Sequence, residues 1–127
     1  MRLVTFAAAG TERVGTLVDE TVVELDAPTM RAYFEHGGAD ATGVEHALAD
    51  VRLRAPIIPK KLFHTAGNFR EHKTESENVN WSHDIAAWIN FFPNVDAIIG
   101  PDDPVIYPEH LTEELDYELE LAVVLRK

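Results

Sequence analysis

The sequence predicts a β-rich α+β protein that opens with a small N-terminal meander domain. Two observations carry that expectation. Short runs rich in Val, Leu and Thr recur along the 127 residues, each closed by Gly, Pro, Asp or Asn. Helical patterns are few and brief, and they fall between runs of strands rather than alternating with them one for one, which argues against a parallel βαβ sheet.

Residues 1–6 read as a first strand, Gly10 and Thr11 as a turn, and residues 13–18 as a second strand. A turn at Asp19 and Glu20 leads to a third strand at 21–25. Asp26 is the expected N-cap and Pro28 an early helical residue of a short helix over 30–35, which Gly37 and Gly38 end. A second short helix is expected over 42–50, then a strand at 51–54. Pro56 and Pro59 mark a boundary, which divides the chain into domains at 1–58 and 59–127. In the second part, residues 62–66 read as a buried strand and 70–80 as polar, with room for a short helix. Short strands are expected at 97–99 and 105–107, around a turn at 100–103. Residues 73–89, polar at first and then bearing Trp81 and Trp88, read as a segment that closes over a ligand.

Composition sets limits on function. An apolar content of 46% is ordinary for a globular protein, and no run reaches the ~20 apolar residues of a membrane span. The formal net charge of −11 argues against nucleic acid or an anionic membrane as partner. No basic-then-apolar leader follows Met1, so a cytoplasmic location is expected. The absence of cysteine excludes disulfides and thiolate chemistry. Six acidic residues and no Lys or Arg lie between Glu109 and Glu120. That run is either a solvated acidic face or a cation site whose charge relieves the repulsion.

Residues 116–126 have the clearest strand pattern. Asp116, Glu118 and Glu120 share one face, while Tyr117, Leu119, Leu121, Val123 and Leu125 share the other. The acidic face turns apolar at Ala122 and Val124, so Glu118 and Glu120 are expected where the strand enters a core. Two such carboxylates, about 6.6–7 Å apart along the strand, can close on one hard cation. The plainer reading is a half-buried strand with its acidic side in water. Oxygen ligands favour magnesium, with calcium or manganese as alternatives. His72 and Glu75 lie three residues apart and would be neighbours on a helical turn. A carboxylate beside an imidazole orients it and raises its basicity, which makes a general base; a surface His with a chance acidic neighbour is the competing reading. His64, in an apolar strand, reads as a satisfied core or near-core residue; His83 and His110 have no partner at a motif spacing, so a histidine zinc site is not expected.

Three stretches, in order, resemble the fumarylacetoacetate hydrolase family: Ala66-Gly67-Asn68-Phe69-Arg70-Glu71-His72-Lys73-Thr74-Glu75, then Ile99-Gly100-Pro101-Asp102-Asp103-Pro104, then Asp116-Tyr117-Glu118-Leu119-Glu120-Leu121. The resemblance covers the second half of the chain, where it implies the start of a mixed β-sandwich or roll catalytic domain, and the first half is similar to that family's variable N-terminal region. It implies a metal-dependent hydrolase or lyase acting on a small anionic 2-oxo or β-diketo acid through an enolate-like intermediate. In it Glu118 and Glu120 hold the metal, His72 and Glu75 move protons, and the complete enzyme is a homodimer. The resemblance also implies a further acidic metal ligand beyond Lys127; Asp116 shares the face but not the family role. Many relatives carry a substrate-binding Lys before the Gly-Pro turn, where this chain reads Asn90-Phe91-Phe92-Pro93-Asn94. Arg70 would replace it only if it pointed inward. The alternatives are a non-catalytic or half-site fragment that needs a second chain or a further region, and a ligand-binding domain without turnover.

Overall fold

A computed structural model describes residues 1–66, 69–78 and 90–126. It is β-rich, with antiparallel sheets and few helices, and forms two compact units. One consists of Met1–Ile57 with Ile99–Lys127, the other of Ile58–Ile98.

In the first unit, β1 (Arg2–Ala8), β2 (Thr11–Val18) and β3 (Thr21–Leu25) form a meander. The registers Ala8↔Thr11 and Val18↔Thr21 leave two-residue turns at both hairpins. Ala9, Gly10 and Asp19 take positive φ there, the backbone that tight hairpin turns between twisted strands require. Next comes α1 (Met30–His36), then β4 (Ala41–Ala47) and β5 (Arg52–Leu53). The sheet order is β4-β3-β2-β1-β5, antiparallel throughout.

The N-cap of α1 is Thr29 rather than Asp26; its hydroxyl accepts the Ala32 N–H at 3.1 Å. The helix stops as expected. Gly37 sits at φ 82°, and the Gly37 and Gly38 N–H groups return to Phe34 and Tyr33 carbonyls. Met30 packs with Val14 and Leu25 on one face of the sheet, with Leu3, Tyr33, Phe34 and Ile57 around them. Phe6 and Val22 are fully buried on the other face. Gly15 allows this: a methyl placed on it would lie 2.8 Å from Val22 Cγ1 and 3.0 Å from Phe6 Cε1.

The helix expected over 42–50 is instead β4 followed by a 3₁₀ turn at Leu48–Asp50. Gly43 adopts φ +85°, outside the helical region. Thr42 Oγ1 bonds the Glu24 carbonyl at 3.4 Å, beside a register shift between Val23 and Leu25. The vacant edge of β3 thus overrides a weak local helical preference.

The second unit contains β6 (His64–Thr65), α2 (Arg70–Asn78) and β7 (Asn90–Phe91). Strands β6 and β7 pair antiparallel, with His64 opposite Phe91. The buried strand expected at 62–66 is a two-residue exposed one. Rings meet at an angle across the ribbon, Phe63 tilted against Phe92 at 4.6 Å and His64 edge-on to Phe91 at 5.3 Å. The closing segment expected at 73–89 begins within α2, and its remainder, with Trp81 and Trp88, lies outside the described residues. The Gly67-Asn68 turn and His83 lie outside them as well.

Three further strand expectations are corrected. Residues 97–99 form no strand: Ala97 ends a 3₁₀ turn at Val95–Ala97, capped by the Asn94 side chain, which accepts the Asp96 N–H at 3.0 Å. Residues 105–107 form no strand, and Ile106 is 86% exposed. Residues 116–126 form none either, and Leu119 is 98% exposed. A strand exists only through a neighbour that takes its N–H and C=O groups. Among the described residues none pairs with 116–126.

Candidate functional site

Helix α2 realises the first part of the sequence motif. Its backbone places positions 72 and 75 one turn apart on a single helical face. The side chains of His72 and Glu75 lie outside the described part of the helix. Two backbone-anchored contacts hold the start of α2: the Lys73 N–H bonds the Phe69 carbonyl at 3.2 Å, and Thr74 Oγ1 bonds the Arg70 carbonyl at 3.2 Å.

Glu118 and Glu120 are both exposed, as are all residues of 113–126. The Asp116 carboxylate accepts the Tyr117 N–H at 2.8 Å. Among the described residues no cluster of three or more His, Asp or Glu side chains is arranged to hold a metal ion. The donor chemistry of Glu118 and Glu120, two hard carboxylates on alternate residues, suits a divalent oxygen-seeking cation. Two carboxylates supply only part of the 6–8 oxygens that calcium takes, or of the roughly six that magnesium takes.

The Gly100–Asp103 turn is tightly built, and the sequence motif did not reveal how. Asp103 Oδ2 accepts the Gly100 N–H at 2.8 Å, and the Asp103 N–H bonds the Gly100 carbonyl at 3.2 Å. Arg52 on β5 donates to Asp103 Oδ1. The Gly100 N–H, then the Arg52 guanidinium, hold the Asp103 carboxyl below the usual carboxylate value, and the charge of Arg54 adds to this. Arg54 Nε is buried without a hydrogen-bond partner among the described residues. Gly100 is closely surrounded: a methyl there would lie 3.0 Å from Asp103 Oδ2 and 3.3 Å from the Leu53 carbonyl oxygen. The signal that could have revealed this contact is Arg52 in an otherwise alternating strand, where the sheet edge ends.

A second polar cluster was missed altogether. Glu24 on β3 is 9% exposed. Arg13 Nη1 on β2 donates to its Oε1 at 3.0 Å, and His46 Nε2 on β4 stands 3.4 Å from its Oε2. The His46 ring leans on Phe6, with centroids 5.2 Å apart. Arg13 and Glu24 border a cavity of about 260 Å³ shared with Asp26, Pro28 and Thr42. This cluster lies in the N-terminal sheet, apart from the motif residues in sequence. Registering the two hairpins through their two-residue turns would have placed Glu24 beside Gly15 and diagonal to Arg13.

Comparison with known proteins agrees with the family resemblance. Residues 61–127 match the family model described as fumarylacetoacetate (FAA) hydrolase, C-terminal, and residues 1–56 match one described as Rv2993c-like, N-terminal. The chain belongs to the fumarylacetoacetate hydrolase family. It is 33% identical to a Bos taurus protein named oxaloacetate tautomerase FAHD2A, mitochondrial, over 89% of this chain and 38% of that one. It is 34% identical to protein Rv2993c of Mycobacterium tuberculosis, over 85% of this chain and 40% of that one. Among solved structures it resembles a 5-carboxymethyl-2-hydroxymuconate delta-isomerase from Mycobacterium smegmatis, with a TM-score of 0.60 and 26% identity, over 83% of this chain and 37% of that one. The chain thus spans about two fifths of the length of these relatives. No helix among the described residues is long and apolar enough to cross a membrane.

Proposed function

We propose that this chain supplies the N-terminal domain, 1–58, and the first part of the catalytic domain, 59–127, of a metal-dependent enzyme acting on a small anionic 2-oxo or β-diketo acid. The observation that carries the reading is the family match over residues 61–127, which contains His72, Glu75, Glu118 and Glu120 in the family's order. The tautomerase and isomerase names of the relatives favour proton transfer at carbon next to a carbonyl over bond cleavage. Hydrolysis and decarboxylation are the neighbouring outcomes.

The roles divide between two stretches of chain. Glu118 and Glu120 hold a divalent cation, magnesium by preference, together with ligands from elsewhere in the complete site. When bound, the cation polarises the oxygens of the substrate and favours loss of the adjacent proton. His72 takes and returns that proton, and Glu75 keeps its imidazole oriented and basic. The complete enzyme works as a homodimer in the cytoplasm.

The test follows ketonisation of oxaloacetate by ultraviolet absorbance with this chain joined to the unmatched portion of the Bos taurus relative, in magnesium, in EDTA, and as the His72→Ala variant. Acceleration in magnesium that both EDTA and the substitution abolish supports the reading. A second reading, a half-site that needs another chain or a further region, is favoured by the exposure of Tyr117, Leu119 and Leu121. No acceleration by the chain alone, restored by adding the unmatched portion of the Bos taurus relative, selects it.

A further inference from the structure

The second compact unit is an excursion from the first. The chain leaves the sheet unit after Ile57, runs through 58–98, and returns at Ile99. The two crossings lie side by side within the sheet unit. A methyl on the buried Gly100 would stand 3.3 Å from the Arg54 Cα and 3.3 Å from the Leu53 carbonyl oxygen, so the returning limb runs against the outgoing one. Everything between the crossings, including positions 72 and 75 on α2, is joined to the sheet unit covalently through this neck.

The two limbs are held in different ways. Backbone and core fix the outgoing limb. The Arg54 N–H bonds the Thr5 carbonyl at 2.8 Å, Thr5 Oγ1 donates to the Pro56 carbonyl at 2.8 Å, and Ile57 packs against the cluster of Val14, Leu25 and Met30. The returning limb has no strand over 99–112. Among the described residues one hydrogen bond joins 99–112 to 1–57, and it runs from Arg52 to Asp103. The other oxygen of that carboxylate accepts the Gly100 N–H at 2.8 Å, so one group shapes the turn and receives the tie. The Arg52 side chain is 58% exposed, and exposed ion pairs add little to global stability. What this pair sets is position.

The geometry points to Arg52 as a positioning residue: by holding Asp103 it latches the neck of the 58–98 excursion and so steadies the segment that carries His72. The catalytic half of this statement rests on the proton-transfer reading above; the latch does not. A tie made by one side chain can be opened without disturbing the sheet. Residue 52 pairs with Ala7 through its main chain, which a substitution there leaves in place. Residues at the ends of a moving segment lie far from the chemistry and still govern it. A reacting group displaced by about 1 Å loses on the order of 10²-fold in rate.

Both tryptophans of the chain, Trp81 and Trp88, fall within 58–98, so their fluorescence anisotropy decay follows that unit without reference to activity. The decay is measured on the 127-residue chain as the parent, Arg52→Gln, Arg52→Lys and Asp103→Asn, with far-ultraviolet circular dichroism as the check on folding. Arg52→Gln should add a fast component to the decay. Asp103→Asn, which keeps an oxygen for the Gly100 N–H, should add the same one. Arg52→Lys, which keeps a cation facing Asp103, should restore the parent decay. Turnover is measured with the chain joined to the unmatched portion of the Bos taurus relative. There Arg52→Gln should lower kcat about 10–100-fold, and Arg52→Lys should recover most of it. Decays identical to the parent in both Arg52→Gln and Asp103→Asn overturn the latch. A looser decay with unchanged kcat overturns the positioning role and leaves the proposed reaction standing. A joined parent without turnover counts against the proposed reaction, and the decays then decide the latch by themselves.

Discussion

Arg52 and Asp103, 51 residues apart in sequence, form an ion pair that joins the edge strand β5 to the Gly100–Asp103 turn. The same carboxylate accepts the Gly100 N–H, so one side chain closes the turn and ties it to the sheet.

The pair makes part of the stability depend on pH. The Asp103 carboxyl is held below its usual value by the Gly100 N–H and by Arg52. A carboxyl lowered in the folded state adds stability that is fully present above its unfolded value, about 3.9. That stability is lost as pH falls through the lower, folded value. Asp103→Asn should therefore lower the melting temperature at pH 6 and make little difference at pH 2. Melting curves of both proteins across that range check this; equal gaps at the two extremes would refute it.

Gly15 is the tightest point of the N-terminal sheet. Its missing side chain is the space that Phe6 and Val22 occupy. Gly15→Ala should cost about 1–3 kcal/mol, the usual range for overpacking. Phe6→Ala should cost about 3–5 kcal/mol through the cavity it leaves. Chemical denaturation followed by circular dichroism measures both. An unchanged midpoint for Gly15→Ala would mean that the close approach of Phe6 does not hold in solution.

The Arg13–Glu24 contact should be asymmetric. The Arg13 side chain is 42% exposed and that of Glu24 11%. Removing Glu24 lets Arg13 turn to water, whereas removing Arg13 leaves a mostly buried carboxylate with only His46 nearby. Arg13→Ala should cost about 1–3 kcal/mol, the range for a buried polar group left unsatisfied, and Glu24→Gln less. A double-mutant cycle with His46→Ala then separates the two contacts.

For the proposed reaction, His72→Ala should lower turnover by about 10²–10⁴-fold with metal affinity nearly intact. Glu75→Gln should lower it less, because the imidazole remains. Glu118→Ala should lose metal and activity together. Calorimetric titration with magnesium beside steady-state kinetics on a 2-oxo acid distinguishes them, and full turnover by His72→Ala would return that residue to an ordinary surface histidine.

The parts of the fold that were legible in sequence are those decided locally. The first three strands, the two tight turns between them and the glycine stop of α1 each depend on neighbours within a few residues, and each appears close to where the pattern placed it, with the first turn at Ala9 and Gly10 rather than Gly10 and Thr11. Strand β4 was misread because Ala41–Ala47 has no strong preference of its own; the free edge of β3 decides it. The strand pattern of 116–126 was read correctly as a pattern, but a pattern does not supply a partner. For the site, the spacing of His72 and Glu75 is a helical property, and α2 provides the helix. Asp103 escaped notice because Arg52 lies 51 residues away in sequence, and Glu24 because its contacts appear only once the strand registers are fixed.

All five strands of the larger sheet lie within the first 53 residues. Polypeptides leave the ribosome N-terminus first, at roughly 5–20 residues per second. The sheet thus has every strand it needs before the His72 helix or the Glu118 segment has been synthesised. Its hairpins close over two-residue turns, so assembly depends on nearby contacts, which favour speed. During synthesis the meander then offers later chain two places to attach, Arg52 for the Gly100–Asp103 turn and the Phe34 carbonyl at the end of α1 for Arg126.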